Sequence, residues 1–208
     1  GTVEILKDYY GQGKITHFVS EPDNGIYDAL NKGLTRATGD VVGFLHSDDF
    51  YVKNNILADL NDIFENNLTD AVYGDLTYVS KKNPEIIVRY WKSCMFSPSL
   101  LSKGWMPPHP TFFVKREVYL RAGFFDTGFR IAADYELMLR FLGKYKISAK
   151  YFPETIVAMR VGGASNRSIK NLFVKSYEDF IAIKRYNTGN FVTLLLKNMS
   201  KVSQFFKQ

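Results

Sequence analysis

Two adjacent carboxylates, Asp48 and Asp49, stand near the end of the stretch GFLHSDDFY, and a third, Asp134, follows IAA and opens DYELMLRF. Two like charges at the end of an apolar run repel one another, and a divalent cation relieves that repulsion. Mg²⁺ typically takes one or two protein carboxylates and completes its shell with water and substrate phosphates. The same pair also reads structurally, with Asp49 as a helix cap and Asp48 as a solvated turn residue. Asp134 has two readings as well: an N-cap, or a general base accepting a proton from a substrate hydroxyl. His109 lies between Pro108 and Pro110, which stiffen the backbone around it. It is either a contact for phosphate or sugar or a structural histidine. His46 sits one residue before the SDD, and His17 falls on the surface side of a short alternating segment.

The elements that must position these groups are legible in the periodicity. KITHFVSE predicts a short strand over Ile15 to Val19, followed by the turn-rich SEPDNG. IYDALNKGLTRATG predicts a helix with Ile26, Ala29, Leu30, Gly33, Leu34 and Ala37 on one face and Asp28, Asn31 and Lys32 on the other. DVVGFL is an apolar run of strand length, NNILADLNDIFENN a helix, and DAVYGDLTYVS a further strand. The alternation points to an α/β domain with a mostly parallel central sheet flanked by helices. Residues 84–108 are irregular and form either a loop over the substrate or a surface excursion. REVYLRAGFF and DYELMLRFLGKY then read as helices and KISAKYFPETIVAMR as strand. In open α/β sheets ligands gather at the carboxyl ends of strands, where Asp48 and Asp49 fall.

Composition narrows the class. Of 208 residues 46% are hydrophobic and 23% charged, a globular balance. No run approaches the length of a membrane span, and no secretory signal is visible. Cys94 is the single cysteine, which excludes an internal disulfide and a cysteine-based zinc site and fits a reducing, cytoplasmic setting. Eight of the 27 basic residues but only two of the 21 acidic ones, Glu178 and Asp179, lie in residues 167–208, so the net +6 belongs to that segment. Such a distribution argues against a general nucleic-acid surface and for a local anionic partner.

Taken together, SEPDNGIYDALNKGLTRATGDVVGFLHSDD and HPTFFVKREVYLRAGFFDTGFRIAADYELMLRF resemble family 2 glycosyltransferases of the bacterial polysaccharide type, which have the GT-A fold. The resemblance spans nearly all of residues 1–166. It implies an inverting enzyme that moves a sugar from a nucleotide-diphosphate donor to a hydroxyl of a saccharide or lipid-linked acceptor. Ser47-Asp48-Asp49 looks like the DXD-type element, with Asp49 as ligand of Mg²⁺ or Mn²⁺ and Asp48 near the ribose or the metal. Asp134 matches the catalytic base. The segment from Asp23 to Gly33 is similar to the nucleotide pocket, with Asp23, Asp28, Asn31 and Lys32 as polar candidates, although Leu30 stands where many members have Arg. No histidine follows Asp134 to serve as the metal ligand some relatives place there. Arg160 and the backbone of VGGAS are the visible substitutes for holding phosphate, and His109 is a weaker candidate for phosphate or acceptor.

Family members begin with a strand, a helix and a second strand ending in an Asp-rich turn. GTVEIL, which starts without methionine and runs into the amphipathic GTVEILKDYY, looks like the tail of that turn and the helix after it. The expectation is a GT-A-like domain over residues 1–166, part of a longer enzyme, with a basic helical extension over 167–208. Within FVTLLLKNMSKVSQFF, residues Val192, Leu195, Leu196, Met199, Val202 and Phe206 share one helical face. That face admits three roles: resting on an anionic bilayer, folding back on the domain, or pairing with another subunit. Two other classes stay open, a non-catalytic nucleotide- or sugar-binding module and a metal-dependent nucleotidyltransferase. The latter normally needs a Gly- and basic-rich phosphate loop, which the sequence lacks.

Overall fold

The computed structural model describes residues 1–162 and 169–200. Its helices are α1 (Thr2–Gly11), α2 (Ile26–Arg36), α3 (Ile56–Asn66), α4 (Arg116–Ala122), α5 (Ala133–Met138), α6 (Ile169–Arg185) and α7 (Phe191–Ser200). Its strands are β1 (Val41–Val42), β2 (Phe50–Tyr51), β3 (Ala71–Val79), β4 (Ile87–Trp91), β5 (Phe113–Lys115) and β6 (Ala149–Arg160). The strands form one sheet in the order β1-β5-β3-β6-β2, with β4 also on β3. β5 pairs with the start of β3 at Ala71 and Val72, and β4 with its end at Leu76 to Val79.

The sheet is mixed rather than mostly parallel. Among the described residues only β3 and β6 run parallel; β1–β5, β2–β6, β3–β4 and β3–β5 are antiparallel. Connection length explains this. The short excursion 80–86 turns β3 back on itself as β4, whereas the path from β3 to β6 passes through α4 and α5, the kind of crossover a parallel pair requires. The expected strand at 15–19 is not present, because alternation becomes a strand only where a neighbour completes the ladder. Among the described residues none pairs with it, and His17 is exposed in a loop. The DVVGFL run keeps only Val41 and Val42 in the sheet; the chain leaves at Gly43, where a Cβ would lie 2.3 Å from the Phe113 ring.

Helices cover both faces of the sheet. On one side α3 buries Ile56 and Leu60 against Val72, Leu76, Ile156 and Val157. Each such side chain removed from water contributes roughly 1.5–3 kcal/mol. On the other side α4 and α5 pack with Tyr27 and Leu34 of α2, and this larger core also takes in Ala182 and Ile183 of α6 and Leu194 of α7. The charge boundary near residue 166 is therefore not a boundary in packing. A Gly at position 74 lets β6 approach β3, since a Cβ there would lie 2.7 Å from the Glu154 carbonyl oxygen.

α6 also completes α5. The N-cap of α5 is Ala132, which has no side-chain acceptor to offer. Instead the buried Glu178 carboxylate accepts the backbone N–H groups of Arg130, Ile131 and Ala132, each at 2.8 Å. A negative charge at a helix N-terminus satisfies its free donors and opposes its dipole. Glu178→Ala strands all three donors and is expected to cost about 3–5 kcal/mol. Urea unfolding followed by circular dichroism measures the loss, and Glu178→Gln should recover part of it.

Candidate active site

A cavity of about 560 Å³ opens between α2, the ends of β3 and β6, β4, α5 and the two C-terminal helices. Asp134 lies on its wall, at the second residue of α5, and so is not the N-cap of that helix. Its Oδ1 accepts the Tyr135 N–H at 2.8 Å and lies 3.4 Å from the Tyr27 hydroxyl, which also donates to the Ile131 carbonyl at 2.6 Å. Among the described residues both of these contacts fall on Oδ1, which leaves Oδ2 for a ligand. Burial, reinforced by the Asp134 charge, pushes the Tyr27 phenol well above its ordinary range, so it stays a donor.

Neither member of the acidic doublet lines the cavity; the doublet adjoins it through His46 and Arg160, which do. Asp48 occupies the turn after His46, and Asp49 precedes β2, so Asp49 is not a helix cap; α3 begins only at Ile56, with Asn55 as its N-cap. Arg160 donates to the Asp48 carbonyl at 2.9 Å and stacks on the Phe50 ring. Among the described residues Asp49 Oδ2 is buried with no hydrogen-bond partner. Burial raises the Asp49 carboxyl, with Asp48 adding repulsion and His46 and Arg160 opposing it. A buried carboxylate oxygen without a donor is costly, and a cation is the partner that suits it. Among the described residues no three metal-binding side chains cluster, so a metal held here would draw the rest of its shell from phosphate and water. Tyr78 also lines the cavity: burial raises its phenol, Arg89 opposes, and the charges of Asp49 and Asp134 add to the rise.

His109 also lines the cavity. Its ring stacks on Phe44 at 5.7 Å and meets Phe125 edge-on, and among the described residues its buried Nε2 has no partner. Burial pulls this imidazole down to about 4, against a weaker upward pull from Asp134. As pH falls from 6.5 toward 4 the unfolded chain takes up a proton that native His109 refuses, so stability falls on the acid side. The loss from this one group reaches about 3 kcal/mol. His109→Phe, which keeps the ring stack, should flatten that part of the pH dependence when urea unfolding is compared near neutral and acid pH.

The α2 candidates lie elsewhere. Asn31 donates to and accepts from the Phe125 backbone, both at 2.9 Å. Asp28 accepts the Asn24 N–H and pairs with Lys32, which also donates to the Pro22 carbonyl, while Asp23 accepts the Gly25 N–H. These four shape the turn into α2 and tie it to the loop before α5. The opposite face, with Ile26, Tyr27 and Leu30, lines the cavity. Nothing in the sequence pairs Tyr27 with a carboxylate 107 positions away. The backbone of VGGAS from Gly163 onward lies outside the described residues.

A third group was foreshadowed only by the basic excess of the last segment. Lys175 and Lys197 both line the cavity and both reach Asp179 Oδ2 at 2.9 Å. Lys197 is buried and sits 4.0 Å from the centre of the Tyr135 ring. Burial lowers its ammonium to about 8 despite Asp179. Burial alone would raise Asp179, but the two ammonium groups outweigh it and hold the carboxylate ionised.

The mixed sheet with helices on both faces is a fold of the GT-A class. The model of Glycosyl transferase family 2 matches residues 1–133, and the chain belongs to that family. The chain is 27% identical over 188 residues to a chondroitin synthase of Pasteurella multocida, covering 88% of this chain and 18% of that protein. It is 28% identical over 173 residues to a PGL/p-HBAD biosynthesis glycosyltransferase of Mycobacterium bovis, covering 82% and 64%. The crystal structure of S. aureus TarS 1-349 in complex with UDP-GlcNAc superposes with a TM-score of 0.63 at 14% identity, over 99% of this chain and 60% of that one. The chain thus spans less than two thirds of these relatives.

Proposed function

We propose that the cavity carries out an inverting sugar transfer from a nucleoside-diphosphate donor to a hydroxyl of a saccharide or lipid-linked acceptor, at the cytoplasmic side of cell-surface polysaccharide assembly. The observation that carries this reading is the orientation of Asp134: one oxygen is engaged by Tyr135 and faced by the Tyr27 hydroxyl, and the other is left to take the proton of an acceptor hydroxyl as the hydroxyl oxygen attacks the anomeric carbon and the nucleoside diphosphate leaves. The UDP-GlcNAc bound in the TarS relative supports a donor of the nucleotide-sugar class. Asp49, with Asp48 beside it, would hold Mg²⁺ or Mn²⁺, and such an ion would supply positive charge against that growing on the departing diphosphate. Arg160, on the wall and bonded to the Asp48 carbonyl, is the candidate to meet the same phosphates. The Tyr135 N–H keeps the base aimed, and Lys175 and Lys197 add positive charge to the cavity wall.

The test is release of nucleoside diphosphate from a panel of nucleotide-sugars in the presence of saccharide acceptors, with the anomeric configuration of the product read by NMR. An inverted product supports the reading. A retained anomer excludes single displacement, and donor binding without release identifies a binding module instead.

A further inference from the structure

α7 packs with its polar side inward. It buries Thr193, Leu194 and Lys197, while Phe191, Val192, Leu195, Leu196 and Met199 face solvent. Thr193 donates to the Ser102 carbonyl and Lys197 to Asp179, so polar contacts to the body set the orientation of the helix. The apolar stripe visible in the sequence is thus the side turned away from the domain. Its continuation at Val202 and Phe206 lies outside the described residues.

α6 extends the same surface. Lys170, Phe173, Tyr177, Phe180 and Lys184 follow one another at three- and four-residue steps and so share one side of the helix. Phe173 and Tyr177 are 73% and 67% exposed, and Leu172 lies beside them. Phe180 meets Phe191 edge-on at 6.5 Å, which joins the two helices into one apolar surface. Single exposed apolar residues are ordinary, but eight large ones gathered on two adjoining helices mark an interaction site.

Charge identifies the partner. Glu178 and Asp179, the only acids of residues 167–208, are 8% and 0% exposed and are both engaged inside. Every charge that α6 and α7 show to solvent is therefore positive. Lys170 and Lys184 bracket the aromatic row, and Arg185 pairs with Asp126. An aromatic and aliphatic surface framed by lysines and free of acids matches helices that lie in the plane of an anionic bilayer. The rings and aliphatic chains enter the headgroup–acyl boundary, and the lysines extend along them to the phosphates. A second copy is a poorer match, because a two-fold contact through this patch brings lysines toward lysines.

We propose that α6 and α7 form a docking surface for an anionic phospholipid bilayer. The same helices supply Asn171, Lys175 and Lys197 to the cavity wall, so docking holds the cavity beside the lipid surface. The proposal is independent of the chemistry in the cavity, and its test needs neither donor nor acceptor.

The full chain is floated with vesicles of phosphatidylcholine alone and of phosphatidylcholine with phosphatidylglycerol. Binding is expected on the anionic vesicles and should weaken as salt is raised. The double variant Phe173→Ser, Leu195→Ser, at exposed positions, should lower partitioning about tenfold or more with unchanged thermal unfolding. Lys170→Gln with Lys184→Gln should remove most of the difference between the two vesicle types. The proposal is overturned if the unaltered chain does not float with anionic vesicles or if the serine variant floats equally well. A dimer seen by sedimentation velocity and dissolved by the same serine substitutions would also overturn it, assigning the surface to a second copy.

Discussion

Asp134→Asn is expected to lower turnover about 10³-fold while donor affinity and thermal unfolding stay unchanged. The reason is local. An amide oxygen at the position of Oδ1 still accepts the Tyr135 N–H and still faces the Tyr27 hydroxyl, so the side chain keeps its place. The nitrogen that replaces Oδ2 cannot take a proton from an acceptor hydroxyl. A 10³-fold loss corresponds to about 4 kcal/mol of transition-state stabilisation. Loss confined to kcat separates this outcome from a binding defect. Single-turnover release of nucleoside diphosphate together with calorimetric titration of the donor measures both. Turnover within about threefold of the unaltered chain would remove Asp134 from the role of base.

The second large effect belongs to the doublet. Asp49→Asn should weaken donor binding and lower kcat/KM by about 10²–10³-fold, and a chelator should do the same to the unaltered chain. The two losses should not add, because both remove one cation. A stability measurement distinguishes this loss from misfolding. Burial, more than any other influence, raises the Asp49 carboxyl, so the native state carries a cost once that group is ionised above its folded pKa. Removing the charge removes the cost, and metal-free Asp49→Asn should melt no lower than the metal-free parent. Added Mn²⁺ should then raise the melting temperature of the parent but not of the variant. A variant that melts markedly lower without metal would show that Asp49 is a structural partner.

Much of the fold is written locally. The helices over 26–36 and 56–66 and the strand over 71–79 follow from apolar spacing, which any chain with that pattern buries in the same sense. The strand at 15–19 does not form, and most of DVVGFL stays outside the ladder, because a strand depends on partners that no local window contains. The parallel pair β3–β6 forms across a helical crossover, while the short return into β4 dictates an antiparallel neighbour.

The sequence by itself determined the residue types and their order: a doublet after an apolar run, a carboxylate opening a helix, and a basic, acid-poor last segment. The tertiary structure decided which of them meet. It turned the polar side of α2 away from the cavity and brought Tyr27 to Asp134. It also used Glu178 to cap a helix 46 residues upstream and placed Lys197 of the final helix on the cavity wall. Periodicity states which side of an element is apolar. Which neighbour each side faces depends on contacts between distant segments, and those are settled only when the whole chain packs.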